Sequence, residues 1–194
     1  MYTVIGNTQS RTFRVLWALE ELGLPYTHIP ANPQSDAVRA NSPLGKVPVL
    51  LDGDTAIPDS TAIMTYLADK HGRLTAPAGT LERAQQDALT FRILDELDAL
   101  LWTAARHSFI LAEDMRVPDV KPSLKKEFAR NLDRLVPEIK GPFLTGDTLS
   151  IPDIILGHCA GWARTAKFPD ASPEFVAYLK NLRSLSSFER AAKK

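Results

Sequence analysis

In the first 75 residues, short apolar stretches alternate with polar ones. The stretch YTVIG at residues 2–6 is apolar, rich in β-branched side chains and followed by polar residues, which predicts a strand and then a loop. From Val15 to Leu22 apolar residues recur at i, i+3, i+4 and i+7, and Gly23 follows, so a helix is expected to end at Leu22. YTHI at residues 26–29 predicts a second strand, parallel to the first through a right-handed crossover.

A hairpin signal predicts two further strands. VPVLL and TAI flank Asp52-Gly53-Asp54, a turn sequence that favours a pair of antiparallel strands. The next stretch, DSTAIMTYLADKHG at residues 59–72, is typical of a capped amphipathic helix of about three turns. The predicted order is therefore β-α-β-β-β-α, with a small mixed sheet.

The rest of the chain has no convincing strand and shows helical periodicity. One long helix is expected from about Glu82 to beyond His107, and a second ends before Pro137. A third begins within TLSIPDIIL, where Ser150 and Asp153 form a near capping box. Two shorter helices are expected at residues 173–182 and 184–192.

These elements predict two domains. Residues 1–74 form an α/β domain, residues 75–81 a linker rich in Pro, Gly and Thr, and residues 82–194 an all-α domain.

The first predicted helix carries its charges at the unfavourable ends. Arg11 and Arg14 lie at its start, and Glu20 and Glu21 lie at its end. A helix is positive at its N-terminus and negative at its C-terminus, so each such charge costs a few tenths to about 1 kcal/mol. The pattern raises the question of what function the positive charge of these two arginines serves beside the first loop.

Composition narrows the function classes. The chain has 23 basic and 23 acidic residues, so its net charge is zero. It therefore has no overall electrostatic attraction to nucleic acid or to an anionic membrane. The single cysteine, Cys159, excludes a disulfide within the chain and a Cys-x-x-Cys site, and indicates a reducing compartment. No apolar run approaches 18 residues and the N-terminus does not resemble a secretion signal, so a soluble, cytoplasmic protein is expected.

The β-α-β-β-β-α unit with three motifs, followed by an all-α domain with a capping box, resembles the glutathione S-transferases over the full length of the chain. The motifs lie in the first unit. They are RVLWALEELGLPY at residues 14–26, PLGKVPVL at residues 43–50, and PDS at residues 58–60. The resemblance is to bacterial, theta-like members with a catalytic serine. It implies a thioredoxin-like N-terminal domain, an all-α C-terminal domain and a homodimer. It also implies a detoxifying transferase that uses glutathione as co-substrate, with no resident cofactor.

The resemblance assigns glutathione contacts to two segments. Asp59 and Ser60 begin a helix, so the Ser60 hydroxyl and the following amides are expected to hold the γ-glutamyl carboxylate while Asp59 faces the ammonium. The alternative is that both residues only cap the helix. The Val47–Pro48 bond is expected to be cis, with the Val47 backbone pairing with the cysteinyl backbone, and Lys46 is expected to face the glycine carboxylate. For Lys46 the alternative is an ordinary solvated lysine.

The implied reaction requires the glutathione thiol to lose its proton at neutral pH, because the thiolate is the nucleophile and a free thiol has a pKa near 8.5. Ser10 is the expected donor, since it precedes Arg14 by the spacing of the theta-like catalytic serine, and Arg11 adds positive potential. Asn7, Thr8 and Gln9 remain possible donors, and Ser10 alternatively caps the helix. The first strand does not end in tyrosine, and no cysteine lies in the loop, which argues against the tyrosine and thiol mechanisms.

No sequence motif defines the electrophile pocket, in contrast to the glutathione site. Trp102, Arg106 and Phe109 are its candidates, from their helical spacing on the long helix where the family has this pocket, and the two aromatic residues are equally suited to the core. His107 and His158 have no second ligand at metal-binding spacing, so no metal site is expected. The competing function is a non-catalytic binding or regulatory module with the same fold.

Overall fold

A computed structural model describes residues 1–169 and 171–194. The chain divides into two compact units. The first contains Met1–Arg83 together with Arg183–Lys194, and the second contains Ala84–Leu182.

The first unit is built on a four-stranded sheet of order β2-β1-β3-β4. The strands are β1 (Tyr2–Ile5), β2 (Tyr26–Ile29), β3 (Val49–Asp52) and β4 (Thr55–Pro58). β1 and β2 are parallel, whereas β3 is antiparallel to both β1 and β4. The predicted parallel pairing of β1 with β2 and the predicted hairpin are both confirmed, and Gly53 at the hairpin turn has a φ of 59°.

Two long helices pack with this sheet. They are α1 (Thr12–Leu22) and α3 (Ser60–His71), and each ends at a glycine in the left-handed conformation, as predicted. The five consecutive α1 residues from Val15 to Leu19 are all fully buried, so this stretch of the helix is buried on every side and forms the centre of the unit.

A short helix, α2 (Asp36–Arg39), was not predicted from the sequence. Its four residues are too few to show a hydrophobic period. Val38, which is 0% exposed, is its one buried side chain and packs with Ile5 and Val49.

The second unit is helical throughout its regular elements. It contains α4 (Leu81–Ile93, from its fourth residue), α5 (Ala99–Ala105), α6 (Lys121–Leu135), α7 (Ile151–Thr165) and most of α8 (Pro173–Arg183). Two π-helical turns, Leu94–Asp98 and Arg106–Ile110, follow α4 and α5, so the predicted long helix is present with two local changes of winding. Three short 3₁₀ segments lie at Glu113–Met115, Pro118–Val120 and Val136–Glu138.

The last helix, α9 (Ser186–Ala191), belongs to the first unit. Its Phe188 ring contacts the rings of Phe13 and Trp17 on α1. The predicted boundaries at 74/75 and 81/82 remain a prediction, and the compact units differ from them because the chain returns to α1 at its C-terminal end.

None of the described helices combines the length and the apolar character needed to cross a membrane.

Candidate functional site

The strand register brings three predicted site segments to one end of the sheet. Ile5 at the end of β1 pairs with Val49 at the start of β3, and Val49 pairs with Pro58 at the end of β4. The segments that continue from these three residues therefore leave the sheet at the same edge. They are the loop at residues 6–11, residues 46–48 and the start of α3 at residues 59–60.

At Gly6 the first of these segments packs closely against the second. Its φ of 141° is one that side chains disfavour, and a Cβ added there would lie 2.1 Å from Thr12 Oγ1 and 3.0 Å from Val47 Cβ. Only glycine allows the first loop to rest against both residues. The Val47–Pro48 bond that follows is cis, as predicted.

At the third segment, α3 begins with a side-chain cap. Asp59 has a φ of 72°, and its Oδ1 accepts hydrogen bonds from the amides of Thr61 at 2.8 Å and Ala62 at 3.0 Å. Ser60 is buried, with 2% of its surface exposed. These two amides were expected to hold a ligand carboxylate, but in this structure the Asp59 side chain occupies them. A ligand at this helix end therefore depends on Ser60 and on the second Asp59 oxygen.

In the first loop, the Ser10 hydroxyl is embedded in local hydrogen bonds. It donates to the Asn7 carbonyl at 2.7 Å, lies 2.8 Å from the Thr12 hydroxyl and accepts from the Thr12 amide at 3.2 Å. Arg11 occupies the N-cap position of α1 and is half-buried, while Arg14 is fully buried. Of the two arginines, only Arg11 retains contact with solvent.

Two residues that the sequence analysis missed hold this loop from the side of β2. His28 on β2 makes a hydrogen bond between its Nε2 and the Gly6 carbonyl at 2.8 Å. Asn32, three residues after the end of β2, accepts a 3.0 Å hydrogen bond from the side-chain amide of Asn7. Both contacts depend on the pairing of β1 with β2, so the spacing of residues along the chain gave no signal for them.

The segment before Lys46 is held by Gln34, which was also missed. The Gln34 amide donates to the Gly45 carbonyl at 2.8 Å, and its side chain donates to the Leu44 carbonyl at 3.0 Å. Arg39 in turn donates to Gln34 Oε1 at 2.6 Å. These contacts fix the backbone that leads to Lys46, whose side chain is exposed.

The candidates for the electrophile pocket all lie in the second unit. Trp102 on α5 is half-buried, Arg106 begins the following π-helical turn, and Phe109 within that turn is 67% exposed. Phe109 is therefore not a core residue, which removes that alternative for this side chain. Over residues 1–169 and 171–194, no cluster of three or more His, Cys, Asp or Glu side chains is arranged to hold a metal ion.

Two curated relatives match this chain along much of its length. The glutathione S-transferase zeta class of Euphorbia esula is 31% identical over 156 residues, which are 76% of this chain and 68% of the relative. Glutathione S-transferase 1 of Zea mays is 30% identical over 200 aligned residues, which cover 92% of this chain and 89% of the relative. The first of these is a zeta-class protein, so the predicted bacterial, theta-like subclass stays a prediction.

The fold agrees with these relatives. A crystal structure of a glutathione transferase from Methylococcus capsulatus superposes with a TM-score of 0.84 at 23% identity, over 100% of this chain and 98% of that one. The predicted fold class, a thioredoxin-like α/β unit plus an all-α unit, is thereby confirmed. A sequence model of the glutathione S-transferase N-terminal domain matches residues 10–77. With both relatives aligned over two thirds or more of their length, the chain belongs to the glutathione S-transferase family.

Proposed function

We propose that this protein is a glutathione transferase that binds glutathione at the edge of the sheet described above. The observation that carries the proposal is the register of β1, β3 and β4, which gathers residues 6–11, 46–48 and 59–60 at one place. Each segment offers a different chemical group to a peptide with two carboxylates, one ammonium and one thiol. An interaction module without a ligand would have no use for this combination.

Each end of glutathione has a proposed partner. The buried Ser60 hydroxyl donates to the γ-glutamyl carboxylate at the positive end of α3, and the Asp59 carboxylate faces the ammonium. The Val47 backbone pairs with the cysteinyl backbone, next to Pro48. Lys46, whose exposed side chain follows the segment held by Gln34, attracts the glycine carboxylate.

The chemistry requires the thiolate at neutral pH. Lowering a thiol pKa from about 8.5 by about two units requires roughly 2.7 kcal/mol of preferential stabilisation of the anion. One donor from the loop at residues 7–10, for which the sequence favours Ser10, the N-terminus of α1 and the Arg11 guanidinium together provide energies of this size. The thiolate then attacks a small hydrophobic electrophile, for which Trp102, Arg106 and Phe109 are the proposed contacts.

In this proposal glutathione is a co-substrate, and the protein needs no resident cofactor. We further propose a cytoplasmic, symmetric homodimer that detoxifies electrophiles. Light scattering would report a particle of twice the 21.4 kDa chain mass for this dimer, and a particle of one chain mass would contradict it.

The Ser60→Ala variant tests the binding site. It is expected to weaken glutathione binding by about 1 to 3 kcal/mol, because it removes a buried donor to a carboxylate. Isothermal titration calorimetry with glutathione measures this directly. Thr27→Ala, which removes an exposed hydroxyl from β2, is the matched control and should leave the affinity unchanged.

Catalysis is tested separately, with wild-type protein, glutathione and a generic aryl halide. Turnover above the uncatalysed rate supports the transferase function. Glutathione binding without turnover on any aryl or alkyl halide would favour the non-catalytic module instead. If the Ser60→Ala variant binds glutathione as tightly as wild type, Ser60 is not part of the binding site.

A further inference from the structure

The Ser10 hydroxyl has no hydrogen left to offer a ligand. A serine hydroxyl has one hydrogen and can accept two hydrogen bonds. Its hydrogen is donated to the Asn7 carbonyl at 2.7 Å, and it accepts from the Thr12 amide at 3.2 Å. Its oxygen also lies 2.8 Å from the Thr12 hydroxyl, which must be the donor of that contact when the Ser10 hydrogen is on the Asn7 carbonyl. To donate to a thiolate, Ser10 would have to break the shortest of these bonds.

The surroundings of Thr12 oppose such a rearrangement. Thr12 is fully buried, and its hydroxyl lies against Gly6, where even a methyl group would not fit. The Ser10 amide also donates to the Asn7 carbonyl, at 3.2 Å. Ser10 therefore closes the turn from residue 7 to residue 10 and ties it to the start of α1.

The side-chain amide of Asn7 is in the opposite situation. An asparagine amide carries two hydrogens. One is donated to Asn32 Oδ1 at 3.0 Å, and no other residue in the described part of the chain accepts from this amide. Asn7 thus holds a donor that is fixed in orientation by Asn32 and still has one hydrogen to give.

The Asn7 backbone adjoins the segment proposed to bind the cysteinyl residue. It directly follows Gly6, whose Cα faces the Val47 side chain, and Val47 is the proposed backbone partner of that residue. Its peptide is fixed on both sides, because His28 bonds to the Gly6 carbonyl and Ser10 to the Asn7 carbonyl. A donor held in this way stabilises an anion without any cost of reorganisation.

We propose that the Asn7 side-chain amide, oriented by Asn32, is the hydrogen-bond donor to the glutathione thiolate, and that Ser10 shapes the loop. This inference rests on the proposed glutathione site. Asn7 is then a catalytic residue and Asn32 a positioning residue. No bond to the protein is formed: the thiol loses its proton to solvent, and the thiolate remains free to attack.

Four variants test the assignment: Asn7→Ala, Asn7→Asp, Asn32→Ala and Ser10→Ala. The measured quantity is the pKa of bound glutathione, from ultraviolet difference titration of the thiolate. Calorimetric glutathione binding and thermal unfolding are recorded for each variant, and Thr27→Ala is the control for an unrelated loss of a polar group.

Asn7→Ala is expected to raise the thiol pKa by about one unit, a roughly tenfold loss of thiolate at neutral pH. Asn7→Asp should raise it further, because a carboxylate repels the thiolate. Asn32→Ala should give a smaller shift of the same sign, with the pH profile of turnover shifted in parallel, since the donor loses its orientation. Ser10→Ala should lower the unfolding temperature and shift the thiol pKa by much less than Asn7→Ala.

The opposite ranking, a large shift in Ser10→Ala and none in Asn7→Ala, overturns the assignment while leaving the glutathione site intact. The same holds if only Thr8→Ala or Gln9→Ala moves the pKa. If wild type binds glutathione without any thiolate signal below pH 8, no loop donor acts and the inference is wrong. If wild type does not bind glutathione at all, the proposed function itself fails.

Discussion

At the scale of single residues, the structure explains the glutamates at the unfavourable end of α1. Glu20 accepts hydrogen bonds from Arg190 at 2.7 Å and from the Tyr26 hydroxyl at 2.8 Å, and Lys194 lies 3.3 Å from it. Glu21 accepts a 2.5 Å hydrogen bond from Ser187. These charge-assisted bonds offset the few tenths to about 1 kcal/mol that each acid costs at a helix C-terminus. The glutamates anchor the end of the chain to α1.

The ion pair at Glu20 predicts a pH-dependent stability. Burial tends to raise the pKa of Glu20, but the hydrogen bonds from Arg190, Tyr26 and Lys194 outweigh it, and the pKa is lowered from 4.5. Because the folded-state pKa is below the unfolded one, the stabilisation is present above about pH 4.5 and is lost as the pH falls through the folded-state value.

Glu20→Gln should therefore lower the free energy of unfolding by about 1 kcal/mol at pH 7, and the deficit should disappear in acid. Urea unfolding of variant and wild type at pH 7 and at a series of pH values well below 4.5 gives the two differences. Glu189→Gln, an exposed glutamate on α9, is the matched control and should show neither effect. A deficit independent of pH would show that packing, not charge, is lost.

Local contacts between residues could be predicted from the sequence, and distant ones could not. The capping box of Ser150 and Asp153 and the cap at Asp59 follow from residue types three or fewer positions apart. The contact from Asn7 to Asn32 spans 25 residues and depends on strand pairing. Motifs therefore allow candidate site residues to be proposed from the sequence, whereas the residues that orient them could not be proposed in this way.

At the scale of elements, α7 depends on one buried carboxylate. Asp153 is fully buried and accepts four hydrogen bonds: from the Leu144 amide at 2.7 Å, the Ser150 amide at 2.9 Å, the Ser150 hydroxyl at 2.7 Å and the Tyr178 hydroxyl at 2.8 Å. Burial raises the pKa of this carboxyl, and the four donors oppose the rise. The cap thus joins α7 to α8 and to the chain before α7.

Asp153→Ala is expected to lower the free energy of unfolding by about 2 to 4 kcal/mol, because it leaves buried donors without an acceptor. Tyr178→Phe removes only one of the donors and should cost about 1 kcal/mol. Chemical denaturation followed by circular dichroism measures both values. Asp147→Ala, at an exposed carboxylate just before α7, is the control, and a similar loss in that variant would refute the role of the cap.

The elements were predicted to the extent that they are long or end in a strong turn signal. The helices α1, α3, α6 and α7 and the hairpin were all predicted, because each is marked by a period of apolar residues, a capping box or an Asp-Gly turn. The short α2 and the π-helical turns were not, since neither changes the apolar pattern over enough residues. Their formation depends on packing that the sequence pattern does not describe.

At the scale of the whole molecule, the C-terminal segment returns to the first unit. The sequence predicted α9 as a helix but assigned it to the all-α domain, because nothing in its local pattern indicates a contact with residues about 170 positions earlier. In the structure the Trp17 indole donates to Ser187 at 3.2 Å, and the Phe188 ring lies 5.0 Å from that of Trp17 and 5.3 Å from that of Phe13. Phe13 belongs to the first turn of α1, directly after the loop of the candidate site.

Phe188→Ala should therefore affect both stability and glutathione binding, although residue 188 lies far from the site in sequence. Loss of the two edge-to-face aromatic contacts and their buried area is expected to cost about 2 to 3 kcal/mol of unfolding free energy. The start of α1 then becomes less well fixed, so glutathione affinity should also fall, as calorimetry would show. Phe91→Ala, at a 62% exposed phenylalanine on α4, is the matched control and should leave both quantities close to wild type. If Phe188→Ala destabilises the protein while glutathione affinity stays unchanged, α9 stabilises the first unit without positioning the site.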